Sequence, residues 1–272
     1  GADVLGGLAA SYADIPAVVS RRVDNTEMQL IATLRYKPFE KIIAISEAIA
    51  RVLRDLGVDK DRIAVIRSAV DAERFAATPD CTAFREEFAV KDGMFTIAAA
   101  GQLIARKGHR YLLEAVAGLN REQHSMRVVI FGDGELDTEL RAQAAQLGLN
   151  GVVQFAGFRD DLDDFIGCFD LLVHPALTEG LGVAALKAAA AGVPVVGFDA
   201  GGLNEAVVHG ETGLLAEAEN VGQLQEAIAT LMTDDAMRQS MSTAGRERMQ
   251  KAFSIDTMAD KHVALYESVI HG

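Results

Sequence analysis

Short apolar runs alternate with longer amphipathic segments along most of this chain. Runs such as Phe95 to Ala100, Arg127 to Phe131, Val152 to Ala156 and Leu171 to His174 are nearly continuous in apolar character. That suits strands buried on both faces of a parallel sheet. The segments between them carry helical spacing, at Tyr111 to Leu119, Leu136 to Leu147 and Leu162 to Cys168. The first seventy residues repeat the alternation. They predict helices near Val4 to Tyr12, near Tyr36 and over Glu47 to Leu56, and strands at Ala17 to Ser20, Lys41 to Ser46 and Ile63 to Arg67. A helical tail follows, at Leu224 to Met232, Ala236 to Phe253 and Ile255 to Val269. Such alternation predicts an α/β fold with parallel sheets covered by helices on both faces, and ligands beyond the carboxyl ends of the strands.

Two of the predicted strands, Leu171 to His174 and Pro194 to Phe198, stop at glycine-rich elbows and give way to helix-like segments. The elbows are Gly180-Leu181-Gly182-Val183 and Gly201-Gly202-Leu203. A helix start approached through glycines presents unpartnered amides and the positive end of the dipole, so the expected guest is a phosphate or diphosphate.

Composition narrows the classes. With 272 residues, 50% hydrophobic and 24% charged, the chain is globular. A net charge of -13 with scattered basic residues excludes a nucleic-acid partner and allows at most peripheral membrane contact. No apolar run reaches spanning length, since Asp14 and Pro16 interrupt one candidate and Lys187 and Pro194 the other. No signal peptide is visible. Cys81 and Cys168 lack Cys-x-x-Cys spacing and are expected to fill apolar space rather than form a bridge, as in a reducing, cytoplasmic setting. No His-x3-His pair or carboxylate cluster suggests a metal. The chain opens directly on an apolar helix-like segment and looks cut from something longer.

Glu179-Gly180-Leu181-Gly182 lies eight positions before Lys187; Ala191-Gly192-Val193-Pro194, Gly201-Gly202-Leu203-Asn204-Glu205 and Gly210-Glu211-Thr212-Gly213 follow. In order and spacing this stretch resembles the donor site of family 4 retaining glycosyltransferases of the GT-B fold. The resemblance extends upstream through Gly101-Gln102-Leu103, Lys107-Gly108, Phe131-Gly132-Asp133-Gly134 and Phe155-Ala156-Gly157-Phe158. It implies two Rossmann-like parallel-sheet domains facing a cleft. Residues 1–72 match the remainder of the first, acceptor-side domain, which is incomplete. Residues 73–250 match the donor-binding domain, and residues 251–272 a helix packing back toward the first. Ser68-Ala69-Val70-Asp71 stands where the family has an Asn-Gly-Val-Asp hinge, and the polar stretch at Thr78-Pro79-Asp80 suits a linker.

The resemblance also implies an activity: transfer of a sugar from a nucleotide-diphosphate donor to a glycan or lipid-linked acceptor, with retention, in surface polysaccharide or lipopolysaccharide synthesis. The nucleotide-sugar is a substrate, and neither cofactor nor metal is expected. Carried onto this chain, Glu179 contacts the donor sugar and Lys107 the diphosphate, beside Gly101 and the backbone of Gly180, Leu181, Gly182, Val183, Gly201, Gly202 and Leu203. Two positions depart from the pattern. Gln102 replaces an Arg that neutralises the leaving diphosphate, a loss that Arg106 could partly make good. Lys187 replaces a Glu that grips the ribose; a cation there reaches a phosphate or carboxylate, or extends to solvent. Phe158 and Arg159 stand where nucleobase contacts fall, or form a surface loop. His174 reads as a core histidine and Gly132-Asp133-Gly134 as a tight turn. Ser20, Arg21 and Arg22 end a strand facing the cleft, where an anionic acceptor or the donor phosphates would meet them. The alternative function is a non-catalytic nucleotide-sugar-binding module derived from such an enzyme; a nucleotide-sugar epimerase fits the motif order less well.

Overall fold

The computed structural model describes residues 2–24, 27–77, 79–122 and 124–271. Thr78, part of the expected linker, lies outside them. The first unit comprises α1 (Ala2–Tyr12), β1 (Val18–Arg21), α2 (Gln29–Tyr36), β2 (Lys41–Ala44), α3 (Glu47–Asp55) and β3 (Ile63–Val65). Its strands pair in parallel in the order β1-β2-β3. The second unit opens with α4 (Thr82–Glu87), β4 (Phe95–Ala100), α5 (His109–Arg121), β5 (Met126–Phe131), α6 (Asp137–Gln146), β6 (Val153–Gly157) and α7 (Leu162–Phe165). It continues with β7 (Leu171–His174), α8 (Val183–Ala190), β8 (Val195–Phe198), α9 (Leu203–Ala206) and β9 (Gly213–Ala216). Three helices close the chain: α10 (Val221–Thr233), α11 (Asp235–Ala252) and α12 (Ile255–His271).

The second sheet is parallel throughout, in the order β6-β5-β4-β7-β8-β9. From β4 the chain builds outward in one direction to β6, then returns to the other side of β4 and builds outward to β9. The reversal between β4 and β7 opens a crevice at their carboxyl ends, where such folds take ligands. The near-continuous apolar runs now have their reason, because successive strand residues enter different cores. Ile97, Ala99, Val128 and Ile130 join one apolar cluster, while Ala98, Val129 and Phe131 join the other. The second of these clusters also takes in Ile42, Ile49 and Leu53 of the first unit, Leu181 of the elbow before α8 and Leu186 of α8, so the two units share apolar packing.

Three features depart from the sequence reading or extend it. Cys81 and Cys168 form a disulfide, with Cα atoms 5.6 Å apart across 87 positions of sequence, which corrects the expectation of two apolar fillers. Phe84 of α4 packs edge-on against Phe169 at 4.7 Å between ring centroids, and this contact draws the two segments together. α4 itself lies just after the expected linker, where no helix was expected, its start held by the Asp80 carboxylate accepting from the Thr82 amide. β9 was likewise not foreseen as a strand. At the far end, the Val70 amide donates to Phe253 O, which ties the chain back to the end of the first unit. α12 then buries none of its residues. Among the described residues, no helix is long and apolar enough to cross a membrane.

Candidate active site

The loop after β4 and the loop after β7 meet at the crevice. Gly108 takes a left-handed φ of 69°, and a Cβ there would lie 1.9 Å from Pro175 O. Only glycine permits so close an approach. The Leu177 amide donates to Arg106 O at 2.8 Å, which completes the junction. Lys107 therefore projects beside Gly101 toward the end of β7. The turn at Gly132–Gly134 supports this loop from below, with the Leu103 amide donating to Asp133 O at 2.7 Å.

Glu179 is the centre of the site. Its Oε2 accepts from Lys107 Nζ at 2.6 Å and from His174 Nε2 at 2.7 Å, and its Oε1 from the Gly180 amide at 2.9 Å. The Glu179 side chain is 13% exposed, Lys107 14% and His174 5%. Burial pushes the Glu179 carboxyl up, but the His174 hydrogen bond and charge, then Lys107, outweigh it and hold the carboxyl far below the usual carboxylate range. The group is ionised at neutral pH and acts only as an acceptor. His174 thus belongs to the site, where the sequence reading had made it a core histidine.

The glycine elbows interlock around this carboxylate. Gly182 precedes α8, and Gly201 turns with a φ of 60°. The Gly202 amide donates to Glu179 O at 2.8 Å, and a Cβ at Gly201 would lie 2.2 Å from that same oxygen. The glycines keep side chains out of these turns, and the first-turn amides of α8, which have no intrahelical partner, are the candidate donors to an anion.

The remaining expected ligands are placed as follows. Gln102 is exposed at the crevice rim. Arg106 faces the first unit, with NH1 3.4 Å from Asp24 Oδ1. Phe158 is 72% exposed after β6. Arg159 beside it is engaged by Glu87 and Asp161, with Nε 2.7 Å from Asp161 Oδ1. Lys187 reaches a carboxylate, donating from Nζ to Asp163 Oδ1 at 2.6 Å, and Asp163 Oδ2 also meets Arg74 NH1 at 3.2 Å. Arg21 is turned inward, donating to Val23 O at 3.1 Å and to Tyr36 Oη at 2.8 Å and pairing with Glu27. Ser20, Arg21 and Arg22 together line a pocket at the end of β1. Arg22 is exposed, and its carbonyl lies against Gly180.

Sequence reasoning missed His109, Ser46, Arg67 and the role of Glu205. His109 opens α5 and is 3% exposed; among the described residues neither ring nitrogen has a hydrogen-bond partner of good geometry. Burial pushes its pKa down to about 4, and the charges of His174 and Lys107 add to the shift, although the carbonyls of Gln102 and Gly101 partly oppose it. Of the four, only Glu205 stood inside a recognisable motif.

Two parallel-sheet units meeting at a crevice, with glycine turns around a Lys–carboxylate pair, define a GT-B architecture. Residues 80–248 match the family Glycosyl transferases group 1, and the chain belongs to that family. Over 234 residues it is 30% identical to 2-deoxystreptamine glucosyltransferase of Streptomyces kanamyceticus, covering 84% of this chain and 60% of that protein. Over 202 residues it is 32% identical to the GDP-mannose-dependent alpha-(1-6)-phosphatidylinositol monomannoside mannosyltransferase of Mycobacterium tuberculosis, covering 71% of this chain and 52% of that one. The chain thus spans between about half and 60% of the length of these curated relatives. Anabaena HepE, solved in complex with UDP, superposes with a TM-score of 0.90 at 25% identity, over 98% of this chain and 76% of that one.

Proposed function

We propose that this chain carries the donor site of a nucleotide-sugar-dependent glycosyltransferase that retains anomeric configuration and delivers the sugar to a hydroxyl of a glycan or lipid-linked acceptor. The observation that carries this reading is the Lys107–Glu179–His174 cluster, set between two glycine turns at the reversal point of the sheet. The UDP complex of HepE and the mannosyltransferase relative support the donor and acceptor classes.

Arriving diphosphate oxygens compete for Lys107 and take the turn amides, where fixed donors stabilise charge as it develops on the leaving group. Glu179, released from Lys107 but still oriented by His174, accepts hydrogen bonds from sugar hydroxyls. The bond from the anomeric carbon to the diphosphate breaks. A new bond to the acceptor oxygen forms on the same face, and the acceptor proton passes to the departing diphosphate. Packing of the first unit against the crevice excludes water that would otherwise take the sugar. The reading requires no metal, because Lys107 and the amides carry the phosphate charge. A second reading, a non-catalytic nucleotide-sugar-binding module, is favoured by the neutral Gln102 and by the pairing of Lys187 with Asp163.

Thermal unfolding with UDP, GDP and ADP at millimolar concentration, each beside its sugar conjugates, tests the donor site. Ligand at about 100 times its Kd stabilises by roughly 2.7 kcal/mol, and each kcal/mol moves the midpoint of a chain this size by about 2–4 °C. A selective shift with one base is expected. Glu179→Ala should then abolish transfer while nucleotide binding stays within about threefold, since the sugar contact is lost and the phosphate cradle is kept. Nucleotide binding without transfer to any acceptor would favour the second reading, and no shift with any nucleotide would remove both.

A further inference from the structure

Several polar contacts between the two units converge on one carboxylate outside the cluster described above. Arg67 follows β3, and its Nε and NH2 each lie 2.9 Å from Glu205 Oε2. The other oxygen, Glu205 Oε1, accepts the Ala48 amide in the first turn of α3 at 3.1 Å. The Glu205 side chain is 11% exposed and Arg67 36%, so the pair sits at a partly dried boundary. Charge-assisted bonds from a planar guanidinium are directional there. Glu205 lies in α9, three residues beyond the Gly202 turn, and its own carbonyl accepts from Arg248 NH2 at 2.8 Å. Two residues before Ala48, the N-cap of α3, Ser46, donates to Gly180 O at 2.5 Å while accepting from the Ile49 amide. The start of α3 therefore touches the first glycine elbow through Ser46, and through Ala48 it holds Glu205, in the short helix that follows the second.

We propose that the Arg67–Glu205 pair is a latch between the units that holds the Gly201–Leu203 turn in register with Glu179, making Arg67 and Glu205 positioning residues for the donor cradle. The mechanical path is short. Glu205 fixes α9, α9 fixes the Gly201–Gly202 turn, and the Gly202 amide holds the carbonyl of Glu179 itself. Removing either partner frees the turn without touching any group that would contact the donor.

Hydrogen exchange in the free chain tests the latch without a ligand. Arg67→Ala and Glu205→Gln are expected to speed amide exchange at Gly180 and at 201–206 by on the order of tenfold, with β4 and β5 unchanged. Unaltered exchange at the turns, or a rise spread over β4 and β5, overturns the latch. A second arm, which rests on the donor-site reading, titrates UDP and GDP calorimetrically. Both variants should weaken the nucleotide by about tenfold, with Arg67→Lys recovering part of the loss. Failure of the unmutated chain to bind either nucleotide sinks the donor-site reading and leaves exchange to decide the latch. Binding that is equally tight in all variants sinks the positioning role.

Discussion

His109 and Glu179 both lose stabilisation in acid, but over different pH windows, each set by its own surroundings. An unfolded chain protonates histidine near pH 6.5, whereas buried His109 resists protonation down to about pH 4. Between those values the unfolded state binds a proton that the folded state refuses, so stability is complete above about pH 6.5 and falls as the pH drops. The full contribution is on the order of 3 kcal/mol. His109→Leu should flatten this limb: its urea midpoint should change much less between pH 7 and pH 4.5 than that of the unmutated chain. An equal slope in both would show that another group titrates there. Glu179 acts lower on the scale. Its depressed carboxyl contributes stability that is complete above the ordinary carboxylate range and is lost as pH falls below it. Glu179 and Lys107 were legible in the sequence because each adjoins a glycine motif. The surroundings of His174 and His109 were not, since the end of β7 and the start of α5 are brought together only by the pairing of β7 with β4.

At the scale of elements, the turns carry the chemistry. Gly201 and Gly210 both have positive φ, but a Cβ at Gly201 would strike Glu179 O, while one at Gly210 meets open space within 4 Å. Gly210→Ala should therefore cost only the left-handed strain, about 1 kcal/mol, and leave nucleotide binding alone. Gly201→Ala should displace the segment bearing Glu179 and weaken UDP by more than about tenfold, because the clash is with backbone rather than with a side chain that can move. Comparing Tm and UDP affinity of the two variants checks this, and equal losses would count against an interlocked cradle. The parallel strands were legible from their apolar runs, most to within a residue or two. α4 and β9 escaped because short elements flanked by polar residues lack a periodic signal, and tertiary packing decides whether they form.

At the scale of the whole molecule, the disulfide and the shared core set how the parts hold together. Linking Cys81 to Cys168 closes a separation of 87 residues, and loss of that constraint is expected to cost about 2–4 kcal/mol. Urea unfolding with and without reductant measures it, and the double variant Cys81→Ser, Cys168→Ser should match the reduced chain. Identical midpoints for oxidised, reduced and double-variant chains would show that the bridge does not stabilise the fold. The two units are joined as well by an apolar cluster that takes in residues of both α3 and α8 and by the polar contacts of Ser46, Ala48 and Arg67.

The sequence alone determined the α/β class, the parallel strands and the glycine elbows, because these follow from local patterns of apolar runs and glycine spacing, and the family resemblance of those elbows singled out Glu179 and Lys107 as candidates. Tertiary structure decided the rest. Whether Cys81 meets Cys168, whether Lys187 faces a phosphate or Asp163, whether Arg21 turns inward, and whether Arg67 finds Glu205 all depend on segments far apart in the chain. Those meetings are set by the sheet order and by helix packing, which no local spacing encodes.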